Sequence, residues 1–194
     1  MMAGTYLTRP AIADLITTYE QDPTPANVKN LVKGLIDFAF TPKEKWDLKE
    51  FPDEERNHHN YFVMKNGDNG KTLHTIIKIS FDPEAAYDNQ WDLCIPVLSG
   101  APMENERCWA LLVRGLKVRL YEYHREEQEG HRLVPCDFKL AGKWKHTVHI
   151  RKNSKEVQTI LTCVPTYLPE EYGDDSLKTT SAQGTRATSL GLGN

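Results

Sequence analysis

The sequence predicts an α+β domain in which two N-terminal helices pack on a mainly antiparallel sheet of about seven to nine short strands. Three observations support this fold class. Apolar residues recur at helical spacing near the N-terminus, apolar and polar residues alternate with period two farther along, and Gly, Asn and Asp separate the alternating segments. We expect residues 1–172 to form a single domain and residues 173–194 to form a disordered tail. The tail is rich in Ser, Thr and Gly and has too little apolar surface to offset the entropy of ordering.

Two helices are expected before residue 42. Thr8 can cap the first helix, and Pro10 lies near its start. Thr24-Pro25 is typical of an N-cap followed by the first helical residue, and Thr41-Pro42 ends the second helix because a residue before proline avoids the helical region. The apolar faces of the two helices comprise Ile12, Leu15, Ile16 and Tyr19, and then Val28, Leu31, Val32, Leu35 and Ala39.

The segment Lys43–Asn60 is polar, and we expect it to be an irregular, exposed connection. The alternation in Thr72–Phe81 predicts a strand with one buried face and one face in contact with water. In Leu116–Tyr123, the same alternation places Leu116, Val118 and Leu120 on one face and Lys117, Arg119, Tyr121 and Tyr123 on the other. The remaining predicted strands are Tyr61–Lys65, Leu93–Leu98, Trp109–Val113, Arg132–Val134, Phe138–Leu140, Thr147–Ile150 and Val157–Val164.

Composition excludes several classes of protein. The mean hydropathy is −0.57, and no stretch approaches the ~18 apolar residues that a membrane-spanning helix requires. The N-terminal residues lack the pattern of a secretory signal, and four cysteines are too few for a disulfide scaffold. We therefore expect an intracellular protein, cytoplasmic or nuclear, with no membrane partner.

The small net charge of −3 conceals a separation of charge along the chain. Residues 1–106 carry 10 Lys/Arg and 17 Asp/Glu, whereas residues 107–155 carry 12 Lys/Arg and 5 Asp/Glu. Aromatic residues are interleaved with the cations of this basic region, since Trp144 lies between Lys143 and Lys145. Exposed rings and cations together are typical of surfaces that bind acidic partners or nucleic acid.

The sequence therefore predicts a non-catalytic binding module that docks its partner through region 107–155. An acidic protein partner or self-association is the preferred interpretation, and nucleic acid comes next. The predicted binding residues are Arg114, Lys117, Arg119, Tyr121, Tyr123, Lys139, Lys143, Trp144, Lys145, Arg151 and Lys152.

An enzymatic alternative rests on Glu122 and on Asp137-Phe138-Lys139. These residues loosely resemble the acid and the Asp/Glu-x-Lys triplet of metal-dependent nucleases of the PD-(D/E)XK kind. The resemblance implies that Glu122 and Asp137 would bind a cation while Lys139 positions the attacking water. No Gly-rich phosphate loop and no closely spaced cysteine pair is present, so the preferred interpretation includes no metal and no cofactor.

Overall fold

The computed structural model describes residues 5–53, 57–68, 70–82, 94–128 and 130–169, so the predicted tail lies outside the described residues. The α-helices are α1 (Pro10–Gln21), α2 (Pro25–Ala39), α3 (Ile95–Gly100) and α4 (Ser154–Cys163). The strands are β1 (Trp46–Asp53), β2 (His58–Gly67), β3 (Gly70–Ser80), β4 (Arg107–Arg114), β5 (Lys117–His124), β6 (Leu133–Pro135), β7 (Phe138–Leu140), β8 (Lys143–Lys145) and β9 (Thr147–His149).

The main sheet has the strand order β1-β2-β3-β4-β5-β6, and β9 also pairs with β5. Among the described strands, β3 and β4 pair in parallel and the other neighbours pair antiparallel. Strands β7 and β8 form a separate two-stranded hairpin. The predicted α+β fold class is thereby confirmed. None of the helices in the described ranges is long and apolar enough to cross a membrane.

Helices α1 and α2 form where the sequence predicts them, but the predicted cap of α1 is wrong: the N-cap residue is Arg9, and the Thr8 hydroxyl donates to the Thr5 carbonyl instead. The hydroxyl of Thr24 accepts a hydrogen bond from the backbone N–H of Asn27, and Pro25 occupies the first turn of α2. Gly34 lets the two helices approach closely, because a Cβ atom at this position would lie 2.6 Å from Cδ1 of Leu15.

Helices α1, α2 and α4 cover one face of the main sheet and form the first hydrophobic core. Trp109, Leu111 and Val113 of β4 contribute to this core from the sheet. Ile16 and Leu31 contribute from α1 and α2, and both are fully buried. This is the face that the sequence predicts to be buried.

The other face of the sheet is also buried, which corrects the expectation that water covers it. A second core contains Leu73 and Ile76 of β3 together with Cys108 and Leu112 of β4. Leu98 of α3 packs against them. Alternation in the sequence records which side chains share a face, but it does not reveal that a later segment covers that face.

Three predicted elements are wrong. The segment predicted as the strand Val157–Val164 lies largely in α4, because Val157, Ile160 and Val164 recur at helical spacing and are buried on one side. Of the predicted strand Leu93–Leu98, the residues from Ile95 onward form α3, where Pro96 lies in the first turn that tolerates proline. The expected connection Lys43–Asn60 contains β1 and the start of β2.

We expect Leu111→Ala and Leu112→Ala to destabilise the protein to a similar extent, by about 2–5 kcal/mol each. The two residues are neighbours on β4, and each is buried in a different core. Urea denaturation measures the free energy of unfolding of both variants. If Leu112→Ala left the free energy of unfolding nearly unchanged, that result would contradict the burial of Leu112 in a second core.

Protonation of His74 is expected to destabilise the folded state below neutral pH. The ring is buried against Phe40 and Trp46, and burial lowers its pKa to about 4. The unfolded chain therefore binds more protons between pH 6.5 and about 4, so stability falls as the pH falls through this window, by about 3 kcal/mol in total. An NMR titration of the His74 ring tests this. Stability that changes with pH equally in wild type and in His74→Gln would contradict it.

Candidate functional site

Strand β5 organises the basic region because other parts of the region pair with both of its ends. A two-residue turn, Gly115-Leu116, joins β4 to β5, with Gly115 at a positive φ of 55°. Strand β9 pairs with the first residues of β5, and β6 pairs with its last residues. The predicted binding residues are therefore distributed over several places rather than one surface.

Tyr121 and Tyr123 are buried in the second core, which corrects the expectation that their rings are exposed beside Lys117 and Arg119. The four side chains do share one side of β5, as the alternation predicts, but that side is covered near the two tyrosines. Arg119 donates a hydrogen bond to the Tyr121 hydroxyl at 3.3 Å, and its guanidinium lies 5.9 Å from the centre of that ring. The tyrosines therefore offer no surface for stacking on a partner.

The hairpin of β7 and β8, residues 138–145, is a largely exposed part of the basic region. We call it the basic hairpin. Its turn, Ala141-Gly142, has positive φ at both residues (49° and 78°), as in the type I′ turns that suit the twist of paired strands. Phe138 anchors the hairpin in the first core. The three residues of β8 are all exposed.

Trp144 is an unusually exposed aromatic residue on the basic hairpin, with 47% of its surface accessible. Its cross-strand partner is Lys139, whose Nζ atom lies 5.9 Å from the centre of the Trp144 ring. Because successive residues of a strand point to opposite faces, Lys143 and Lys145 lie on the face opposite Trp144. The hairpin thus presents cations on both faces and an aromatic ring on one.

A groove of about 480 Å³ separates the basic hairpin from the start of α4. We call it the hairpin groove. Its cationic lining residues are Lys145, Lys152 and Lys155, and Glu156 is the acidic residue among those that line it. The side chain of Asn153 accepts a hydrogen bond from His149 N–H and does not cap α4. Lys155, which is not among the predicted binding residues, lies in the first turn of α4.

The other predicted cations lie elsewhere. Arg151 forms an ion pair with Glu20 of α1 at 2.9 Å and donates to the hydroxyl of Thr17, so α1 balances its charge. Arg114 and Lys117 flank the β4–β5 turn and line a second cavity, which is separate from the hairpin groove.

The three residues of the enzymatic alternative have different partners. The side chain of Glu122 pairs with His124 at 3.0 Å, and that of Asp137 pairs with His146. Lys139 lies beside the Trp144 ring. Across the described ranges, no three His, Cys, Asp or Glu side chains are grouped so that they could hold a metal ion. The arrangement therefore lends no support to a nuclease site at these residues.

The buried cysteines are poorly suited to nucleophilic chemistry. Burial raises the pKa of the Cys136 thiol well above its ordinary value, and the nearby carboxylates of Glu122 and Asp137 raise it further. Burial likewise raises the pKa of Cys108. Both side chains remain neutral thiols at physiological pH and contribute to packing.

Comparison with known proteins gives no further guidance, since no protein-family model, no curated protein and no solved structure matches this chain.

Tyr123→Phe is expected to leave stability unchanged or raise it by about 1 kcal/mol. The Tyr123 hydroxyl is buried and has no hydrogen-bond partner within the described part of the chain, so its removal ends a desolvation cost. Tyr121→Phe is the matched control, because it removes the acceptor of an Arg119 hydrogen bond. Chemical denaturation compares the two variants. A marked loss of stability in Tyr123→Phe alone would show that its hydroxyl is bonded.

Proposed function

We propose that this protein is a binding module without chemistry of its own, and that it docks an acidic segment of a protein partner on the basic hairpin and the hairpin groove. The observation that carries the proposal is the exposure of Trp144 among Lys139, Lys143 and Lys145 on a short hairpin.

Charge supports an acidic partner. Asp137 is paired with His146, which leaves Glu156 as the acidic residue beside the hairpin groove. The lysines of the basic hairpin are exposed, so they contribute to long-range attraction and to the rate of association more than to affinity. The neighbouring cations Lys152 and Lys155 extend the same positive field to the start of α4.

Trp144 supplies an apolar contact, which charge attraction alone does not provide. Tryptophan is enriched among the few interface residues that carry most of the binding energy. In the described residues β8 is hydrogen-bonded only to β7, so its outer edge is open to an added strand. A strand added there would place alternate side chains against Trp144 on one face and against Lys143 and Lys145 on the other.

A protein partner is favoured over nucleic acid. Binding of unpaired bases relies on several exposed rings, but Tyr121 and Tyr123 are buried and leave Trp144 as the exposed ring of the basic hairpin. The isoelectric point of about 6.2 is also low for a protein dedicated to nucleic acid.

The probe is a labelled Asp/Glu-rich peptide that contains one Leu or Phe. We expect Lys143→Glu combined with Lys145→Glu to weaken its binding by at least about tenfold, because two side chains that attract the acidic peptide become side chains that repel it. Fluorescence anisotropy at low and moderate salt measures the affinity. The matched control is Lys45→Glu combined with Lys49→Glu, which changes the net charge equally at the other edge of the sheet, where both lysines are exposed. This control should bind almost as wild type does.

Trp144→Ala separates a specific interface from general attraction. We expect it to weaken peptide binding while leaving the salt dependence of the remaining binding similar, because it removes no charge. The same titrations with single-stranded and duplex oligonucleotides provide the competing outcome. An oligonucleotide could bind more tightly than the peptide, with a strong salt dependence, and lose this binding in the Lys143/Lys145 variant. That result would identify nucleic acid, rather than a protein, as the partner. An equal loss of peptide affinity in the Lys143/Lys145 variant and in the Lys45/Lys49 control would contradict the proposed binding surface.

A further inference from the structure

The sequence that directly follows the described domain is acidic and contains one aromatic side chain. Residues 170–175 read Glu-Glu-Tyr-Gly-Asp-Asp, so four of the six carry a carboxylate. We call them the EEYGDD segment, and they lie outside the described residues. Their chemistry is that of the partner proposed for the basic hairpin and the hairpin groove. The same chain therefore carries both a basic surface and a segment of matching charge.

The lysines of the basic hairpin and the hairpin groove are available to such a segment. The four with the greatest bearing on it are all exposed, and none forms an ion pair with another described residue: Lys143, Lys145, Lys152 and Lys155. Glu156 is the carboxylate in the described lining of the groove, and Asp137 at the base of the hairpin is paired with His146. The positive charge of this surface is therefore only partly balanced by the described residues.

The chain leaves the described domain at a distance that the EEYGDD segment can cover. The carbonyl of Tyr167 accepts a hydrogen bond from the Trp109 indole at 2.7 Å, and the next two residues are buried. Trp109 lies opposite Glu122, which lies opposite Val134, so about 10 Å separates the backbones of Trp109 and Val134. The basic hairpin begins four residues after Val134. Six extended residues span about 20 Å.

We propose that the EEYGDD segment occupies the basic hairpin and the hairpin groove of its own chain and competes there with the acidic partner. This inference rests on the proposed function, because it gives the same surface an internal occupant. A segment linked to its binding surface has an effective concentration of about millimolar, so a weak contact is sufficient. The partner must displace the segment, which lowers the apparent affinity for the partner without changing the surface itself.

The order of residues in the EEYGDD segment matches the two faces of β8. Added as a strand at the open edge of β8, with Tyr172 opposite Trp144, the segment places its ring against the indole. One carboxylate on either side of Tyr172 shares this face, which also carries Lys139. The two remaining carboxylates fall on the opposite face, with Lys143 and Lys145. Each face of the hairpin thus meets opposite charge, and the aromatic pair lies at the centre.

NMR spectra of the full chain test the contact without any partner. Lys143→Glu combined with Lys145→Glu should shift the amide signals of the EEYGDD segment, whereas the control, Lys45→Glu combined with Lys49→Glu, should not. In the other direction, neutralising the segment should shift the indole N–H signal of Trp144. The neutralised variant combines Glu170→Gln, Glu171→Gln, Asp174→Asn and Asp175→Asn. Unchanged amide signals from α1 and α2 verify that each variant is folded.

The neutralised variant is also expected to bind the labelled acidic peptide about three- to tenfold more tightly, because the surface is no longer occupied. Fluorescence anisotropy measures the affinity. The matched control removes two Asp and two Glu carboxylates at other exposed positions, by Asp14→Asn, Glu44→Gln, Asp68→Asn and Glu127→Gln. It changes the net charge equally and should alter affinity by less than about twofold, since these charges are remote and screened.

Tyr172 separates a specific contact from general attraction. Tyr172→Ala should tighten peptide binding, because it removes the apolar contact of the segment with Trp144 while leaving all charges in place. Tyr172→Phe keeps the ring and should bind the peptide as wild type does.

Three outcomes would overturn the proposal. The amide signals of the EEYGDD segment could respond equally to both lysine variants, or the neutralised variant and its control could gain the same affinity for the peptide. Shifts that depend on protein concentration would instead assign the segment to the hairpin of a second copy. The proposed function is tested separately: a peptide that does not bind any variant contradicts it, whereas a peptide that binds while the segment signals stay unchanged contradicts only the internal contact.

Discussion

The burial of β4 on both faces is the constraint on which the rest of this structure depends. Trp109, Leu111 and Val113 face the core beneath the helices, while Cys108 and Leu112 face the second core. Neither face of β4 contacts water, as is typical of a strand in the interior of a sheet, and β4 lies between β3 and β5. The indole N–H of Trp109 also donates to the backbone carbonyl of Tyr167 at 2.7 Å, which ties the segment after α4 to this central strand.

This constraint explains why the basic residues lie where they do. With β4 fixed, the tight turn at Gly115 sets the position of β5, and β5 then holds β6 at one end and β9 at the other. The segment between β6 and β9 does not pair with the main sheet, and its strands β7 and β8 pair with each other to form the basic hairpin. The cations beside the β4–β5 turn are separated from those of the hairpin, so one basic region supplies two distinct surfaces.

Sequence patterns predicted an element correctly where the element is stabilised mainly by residues close together in the chain. The Thr24-Pro25 cap and the apolar stripes of α1 and α2 lie within a few residues of one another, and both helices form as expected. The same patterns misassigned α4, because a short apolar segment fits a strand or a helix until its packing surface is known. In β1, half-buried Trp46 and Leu48 alternate with Asp47 and Lys49, but the many charges of this segment concealed the pattern.

By itself the sequence determined the fold class, the two N-terminal helices and the position of the basic region, because helix caps, hydrophobic periodicity and charge are properties of neighbouring residues. Only the tertiary structure decided that Tyr121 and Tyr123 are buried and that Trp144 is exposed. It alone brought Lys117 and His149 side by side. Those outcomes depend on strand register and on which segment covers each face of the sheet. Both are set by contacts between residues far apart in the chain, which no local pattern records.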